Sequence, residues 1–121
     1  MVQRVLVADD EADIRRLVAF TLRRRGYEVI EASTGDHALE LIRSQRPDVV
    51  VLDVMMPGLS GLEVCRELLA DPATAALPVV LLSAKGQAAE IEEGLSAGAR
   101  AYLVKPFNPA DLARKIAQLL S

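Results

Sequence analysis

Five residues scattered along the sequence are of the types that handle divalent cations and phosphoryl groups: Asp9, Asp10, Asp53, Ser83 and Lys105. Singly, each has an ordinary explanation. An Asp pair after a strand commonly caps the next helix, and an Asp at a strand end commonly makes a turn. A lone serine or a Lys-Pro step carries no message. Together they would do more. Three carboxylates held close repel one another, and a divalent cation relieves that repulsion. Mg²⁺ takes oxygen ligands and is often held by one or two carboxylates with phosphate oxygens. No soft ligand accompanies the acids, which argues against zinc or copper. A lysine ammonium and a hydroxyl both suit phosphoryl oxygens. An aspartate can itself act as nucleophile and carry a phosphoryl group as an acyl phosphate.

Whether these residues meet depends on the elements that carry them. Val5–Ala8 is a short apolar run that stops at Asp9-Asp10. Glu11 to Arg25 reads as a helix, with Ile14, Leu17, Val18, Thr21 and Leu22 inward and most of its arginines on a solvated face. Gly26 closes it. Glu28 to Ala32 reads as a strand and Asp36 to Gln45 as a helix, with Pro47 blocking continuation. His37 falls on that helix's outer side. Val49–Leu52 is an unbroken β-branched run of the kind buried on both faces of a parallel sheet, and it stops at Asp53. After a turn-rich loop, Leu62 to Ala70 is the third helix. Pro78 to Leu82 is a strand stopping at Ser83. Gln87 to Ala97 is a helix with Ile91 and Leu95 inward and Gly94 as a weak point worth about 1 kcal/mol. Tyr102–Val104 is a strand stopping at Lys105. Asn108 caps a last helix that starts at Pro109.

Strict strand–helix alternation predicts a single α/β domain over 1–121, with a five-stranded parallel sheet covered by helices on both faces. In such a sheet the carboxyl ends of all strands lie along one edge, where ligands bind. The five polar residues then converge on one cleft.

Composition narrows the function classes. The net charge of −3 leaves no basic footprint for nucleic acid. The longest apolar run is far too short to span a bilayer, and the first residues lack the apolar region of a signal peptide. The lone Cys65 excludes an internal disulfide framework and reads as an inert buried thiol, which fits a reducing, cytoplasmic setting. No stretch of the 121 residues reads as an output domain.

From end to end the chain resembles receiver domains of two-component response regulators. The resemblance rests on Val5-Leu6-Val7-Ala8-Asp9-Asp10-Glu11, Asp48 through Gly58, Leu81-Leu82-Ser83-Ala84 and Gly98 through Phe107. It implies the doubly wound flavodoxin-like (βα)5 fold with strand order 2-1-3-4-5. It implies that Asp53 is the phosphoacceptor and that Asp10, Asp53 and the main-chain carbonyl of Met55 bind Mg²⁺ or Mn²⁺, with Asp9 acting through water. Ser83 and Lys105 would hold the phosphoryl group, Ser83 and Tyr102 would form a coupled switch pair, and the Lys105–Pro106 bond would be cis. The implied donor is a histidine kinase or a histidine phosphotransfer protein, docking on the first helix around Arg15 and Arg16. The effector downstream is not written in the sequence.

Two local features differ between family members. Ala97, Arg100 and Ala101 stand where receivers joined to winged-helix DNA-binding domains usually carry acids that pair across a dimer. Met55 and Lys85, two positions after Asp53 and Ser83, cannot readily orient water as a carboxylate or amide could, so slow self-hydrolysis is expected. The rival reading is a metal-dependent phosphohydrolase with an Asp nucleophile. Phosphatases resembling haloacid dehalogenases carry Asp-x-Asp after the first strand, whereas this chain has Asp9-Asp10-Glu11 and no cap domain. A weaker rival is a scaffold that binds partners without phosphorylation, against which the intact acidic pocket argues.

Overall fold

A computed structural model describes residues 2–121. Five strands alternate with five helices: β1 (Arg4–Ala8), α1 (Ala12–Arg24), β2 (Glu28–Ala32), α2 (Gly35–Gln45), β3 (Val49–Asp53), α3 (Gly61–Ala70), β4 (Val79–Ser83), α4 (Ala88–Ser96), β5 (Ala101–Val104) and α5 (Pro109–Leu120). The strands pair in parallel in the order β2-β1-β3-β4-β5, as expected. Asp53 and Ser83 are the last residues of their strands rather than the first of the loops. Asp53 pairs with Leu82, so Ser83 sits one residue further along the same edge.

The period of two along each strand divides the core into two layers. Leu6, Val50, Leu52, Val79 and Leu81 face α2, α3 and α4, where Leu39, Ile42, Val64, Leu68 and Ala97 meet them. Val5, Val7, Val49, Val51, Val80 and Leu82 face α1 and α5, against Val18, Leu22, Leu112 and Ile116. All of β3 and β4 is buried. Each fully buried aliphatic side chain there contributes about 1.5–3 kcal/mol.

Helix starts and stops follow local chemistry. Thr34 caps α2, Ser60 and Glu63 form a reciprocal capping box at α3, and Asn108 caps α5 through the Ala110 N–H. Gly26, at φ 94°, ends α1 in the left-handed region. No described helix is long and apolar enough to cross a membrane.

Four expectations change. Leu17 and Leu95 are 52% and 47% exposed, not inward. The inner face of α1 is set by Val18, Ala19 and Leu22, and that of α4 by Gly94. Both leucines therefore stand on the flanks. Arg15 is not part of a solvated face. Its guanidinium donates to the Asp9 carbonyl at 2.9 Å and pairs with Glu31 at 3.3 Å, clamping α1 to the ends of β1 and β2.

Gly94 is a point of contact rather than a point of weakness. A Cβ there would lie 2.8 Å from Tyr102 Cδ2 and 3.0 Å from Leu81 Cδ1. Glycine is what lets the Tyr102 ring tuck under α4. Gly94→Ala should therefore lose stability, because overpacking of about 1–3 kcal/mol outweighs the gain in helix propensity of about 1 kcal/mol. In a Tyr102→Ala background the same substitution should be neutral or stabilising. Urea midpoints of the four proteins measure this, and an identical Gly94→Ala effect in both backgrounds would refute the contact.

Candidate functional site

The carboxyl edge of the sheet gathers residues from three strands. Asp9 and Asp10 follow β1, Asp53 ends β3 and Lys105 follows β5. One carboxylate oxygen from each of Asp9, Asp10 and Asp53 lies within 4.8 Å of the others. Asp9 and Asp53 are buried and Asp10 is exposed. A cleft of about 260 Å³ opens over them, lined by Asp10, Glu11, Asp53, Met55, Ala84 and Lys105.

Backbone geometry fixes Asp53 closely. The Val54 N–H donates to the Leu82 carbonyl at 2.8 Å, and the Gly61 N–H to the Val54 carbonyl at 2.9 Å. A Cβ on Gly61 would come within 2.3 Å of the Asp53 carbonyl oxygen, so only glycine lets the start of α3 press against this strand end. Asp9 is oriented by its neighbours as well, since its Oδ1 accepts from the Glu11 N–H at 2.9 Å.

Lys105 reaches back across the edge. Its Nζ donates to Glu11 Oε1 at 2.8 Å and to Asp53 Oδ2 at 3.2 Å, and it lies 3.1 Å from Asp9 Oδ2. The approach to Asp9 lacks hydrogen-bond alignment. Asp9 Oδ2 is therefore buried at ion-pair distance yet without a hydrogen-bond partner. Burial alone would lower the Lys105 pKa. The hydrogen bond to Glu11 and the nearness of Asp9 and Asp53 outweigh that, holding the ammonium above the ordinary lysine value. Burial first, then the charge of Asp9, pushes the Asp53 carboxyl up from 3.8 to about 7, against the pull of Lys105. One lysine does not neutralise this cluster.

A divalent cation fits these residues. The donors are all oxygens, Asp9 Oδ2 has a free buried lone pair, and burial together with the charge of Asp9 makes Asp53 resist ionisation, which added positive charge would relieve.

The other expected residues stand nearby in different surroundings. Ser83 is 1% exposed and its hydroxyl accepts from the Lys85 N–H at 3.1 Å. Ala84, not Ser83, lines the cleft. Tyr102 is half-buried, with its ring against Gly94 and its hydroxyl donating to the Lys85 carbonyl at 2.8 Å. Ser83 and Tyr102 thus bracket one residue of the β4–α4 loop. The Lys105–Pro106 peptide bond is cis.

Two residues near the cluster were given no part in the site by the sequence reading. Glu11 is a direct partner of Lys105, and Arg15 holds the Asp9 carbonyl. The available signal was position, since both lie within a helical turn or two of the Asp pair. Nothing in their types distinguished them from an ordinary helix start.

A family profile described as the response regulator receiver domain matches residues 5–117. "DNA-binding response regulator MtrA" of Mycobacterium tuberculosis (strain ATCC 25618 / H37Rv) is 40% identical over 116 residues, covering 96% of this chain and 50% of that protein. "Probable transcriptional regulator ycf27" of Porphyra purpurea is 45% identical over 118 residues, covering 98% of this chain and 47% of that protein. The chain thus spans about half the length of these relatives. Among solved structures, chemotaxis response regulator CheY4 of Vibrio cholerae superposes with a TM-score of 0.93 at 34% identity, covering 99% of this chain and all of that one. The receiver domain of Francisella response regulator 1452 gives 0.92 at 34% identity, covering 98% and 96%. A profile spanning nearly the whole chain and close relatives in both sequence and structure agree: the chain belongs to the response regulator receiver domain family of two-component signalling.

Proposed function

We propose that residues 1–121 form a receiver domain that accepts a phosphoryl group on Asp53 and changes partner binding in response. The observation that carries this reading is the position of Asp53. It is buried at the end of β3, beside two further carboxylates, and hydrogen-bonded to Lys105. The donor is a histidine kinase or a histidine phosphotransfer protein. In the transfer, an Asp53 carboxylate oxygen forms a bond to phosphorus while the donor's bond to phosphorus breaks and its electron pair leaves with the donor. Lys105 Nζ already touches Asp53 Oδ2 and would pass its charge to the phosphoryl oxygens. Ser83 would give its hydroxyl to the same group.

Asp10, Asp53 and the Met55 carbonyl would hold Mg²⁺ or Mn²⁺, with Asp9 behind them. The ion would supply positive charge to the carboxylates and the incoming phosphoryl oxygens. Signalling would then run through Ser83, the β4–α4 loop and Tyr102. Tyr102 is tucked under α4 with its hydroxyl on the Lys85 carbonyl, and phosphorylation would act by shifting the population of this arrangement. A free buried thiol at Cys65 suits a cytoplasmic setting.

Acetyl phosphate with Mg²⁺ should add one phosphoryl group to the wild type and none to Asp53→Asn, read by intact mass. Equal labelling of the mutant would remove Asp53 from the role. A phosphohydrolase would instead release phosphate over many turnovers from added phosphate esters.

The raised Asp53 pKa has a consequence for stability. Between about pH 4 and pH 7 the folded protein keeps a proton that the unfolded chain has released, so wild-type stability falls as pH rises through that window. Asp53→Asn lacks the titrating group. In a chelator, its advantage over wild type should grow from near zero at about pH 4 to on the order of 2–4 kcal/mol by about pH 8. Added Mg²⁺ should narrow the gap in wild type. Chemical denaturation at three pH values reads it, and curves that stay parallel would show that Asp53 is not penalised.

Kinase contact is assigned to the outer side of α1. Leu17 and Phe20 are exposed there, and the Arg24 guanidinium lies 5.6 Å from the Phe20 ring centroid. Arg15 is excluded because it clamps Asp9 and Glu31. Arg16→Glu with Leu17→Ala should slow transfer from the cognate kinase about tenfold or more, corresponding to a loss of about 1.4 kcal/mol. Labelling by acetyl phosphate should persist. Equal slowing of both reactions would indicate fold damage instead.

A further inference from the structure

Among the described residues, one exposed sulfur side chain stands at the acidic cleft. The sequence holds one cysteine and three methionines. Cys65 is 1% exposed, and burial pushes its thiol up to about 11 despite the nearby Arg66, so almost no thiolate exists at neutral pH. Met56 is half-buried and packs against the core layer of α2 and α3. Met55 is 62% exposed and lines the same cleft as Asp53, Asp10 and Lys105. Of the sulfur-bearing side chains among the described residues, Met55 is the most open to a dissolved oxidant.

We propose that Met55 is an oxidation site that makes the lifetime of the phosphoryl group sensitive to peroxide. This inference rests on Asp53 being the phosphoacceptor. In the modification, the Met55 thioether sulfur attacks one oxygen of hydrogen peroxide. An S–O bond forms, the O–O bond breaks, sulfur is oxidised by two electrons, and the peroxide is reduced to water. The product is a sulfoxide, which methionine sulfoxide reductases reverse.

The change matters because of what stands around the sulfur. A thioether is a weak acceptor and an apolar one, so it cannot orient water beside Asp53. A sulfoxide is polar, with an oxygen that accepts hydrogen bonds strongly. Placed at the cleft mouth, that oxygen can fix a water molecule beside the acyl phosphate, and positioning the nucleophile is a large part of phosphoryl-transfer catalysis. Oxidation therefore converts a side chain that shields the phosphoryl group into one that helps remove it. The same event also introduces a polar group where a partner approaching the cleft would otherwise meet an apolar one.

The experiment has two readouts. First, unphosphorylated protein is treated with graded hydrogen peroxide and digested, and peptide masses locate the added oxygen. Met55 should be oxidised well before Met56, and Cys65 should remain a thiol. Oxidation of Met56 at an equal rate would overturn the site. Second, protein labelled with acetyl phosphate is freed of donor, and loss of label is followed with and without prior peroxide. Peroxide should shorten the label half-life at least about threefold in wild type and in Met56→Leu. In Met55→Leu, peroxide should leave the half-life of that variant unchanged, and Met55→Gln, which carries a permanent acceptor oxygen, should resemble oxidised wild type. An equal peroxide effect in Met55→Leu, or no effect in wild type despite complete Met55 oxidation, would overturn the proposal. Failure of Asp53 to take any label would overturn the receiver reading instead, while the oxidation map from the first readout would stand or fall by itself.

Discussion

The structure turns on a crowd of negative charge held where water cannot fully relieve it. Asp9 and Asp53 are buried, Asp10 and Glu11 stand beside them, and Lys105 is the cation that touches Asp9, Glu11 and Asp53. Ionised carboxylates this close would repel strongly in a medium of low dielectric constant. The sheet nevertheless enforces the arrangement. Its five strands are parallel, and β3 at its centre pairs directly with β1, both buried at their carboxyl ends, so the ends that carry Asp53 and the Asp9-Asp10 pair cannot drift apart without opening the core. Hydrophobic burial in two layers thus holds together a polar edge that would disperse if it were free.

That conflict is what makes the site responsive. Asp53 sits at a pKa of about 7 because folding buries its carboxyl and sets it beside the charge of Asp9, and Lys105 offsets only part of this. Any ligand that brings positive charge, or that redistributes the charge of Lys105, interacts differently with the folded arrangement than with a relaxed one. Differential interaction is the only way a ligand can move a conformational equilibrium. The path for such a change is short. Ser83 and Tyr102 both bond to the backbone of Lys85, one to its N–H and the other to its carbonyl. A pull on the Ser83 hydroxyl would therefore reach the loop that anchors the tyrosine.

The parallel sheet covered by helices, the two-sided burial of β3, and the convergence of Asp9, Asp10, Asp53 and Lys105 were legible in the residues, while the strand order followed from the family resemblance. They depend on strong regularities, namely unbroken apolar runs, their alternation with helical patterns, and polar residues at strand ends. What failed was finer than one residue of helical rotation. Leu17 and Leu95 fit an inward stripe by spacing, yet the neighbouring small or branched residues Val18, Ala19 and Gly94 take the inner face because the helices pack closely there. Gly94 read as a defect because its reason lies in Tyr102, a strand away. Glu11 and Arg15 were invisible for a similar cause. A charged residue at a helix start has many possible partners, and only the folded chain shows that Lys105, 94 residues later, is one of them.

Arg15 also ties the outer surface to the chemistry. α1 carries exposed Leu17 and Phe20 on one flank, while Arg15, on the opposite flank of the same helix, holds the carbonyl of Asp9 and the carboxylate of Glu31. A partner that shifts or rotates α1 would act on the Arg15 clamp and, through it, on the main chain at the first carboxylate of the cluster. Arg15 would thus link any partner contact on α1 to the geometry of the site. The link also divides the helix into positions of different tolerance. The outer flank can vary with the partner, since its side chains end in solvent. Arg15 cannot, because removing its guanidinium leaves Glu31 with only the more exposed Arg23 and strips a charge-assisted hydrogen bond from the Asp9 carbonyl.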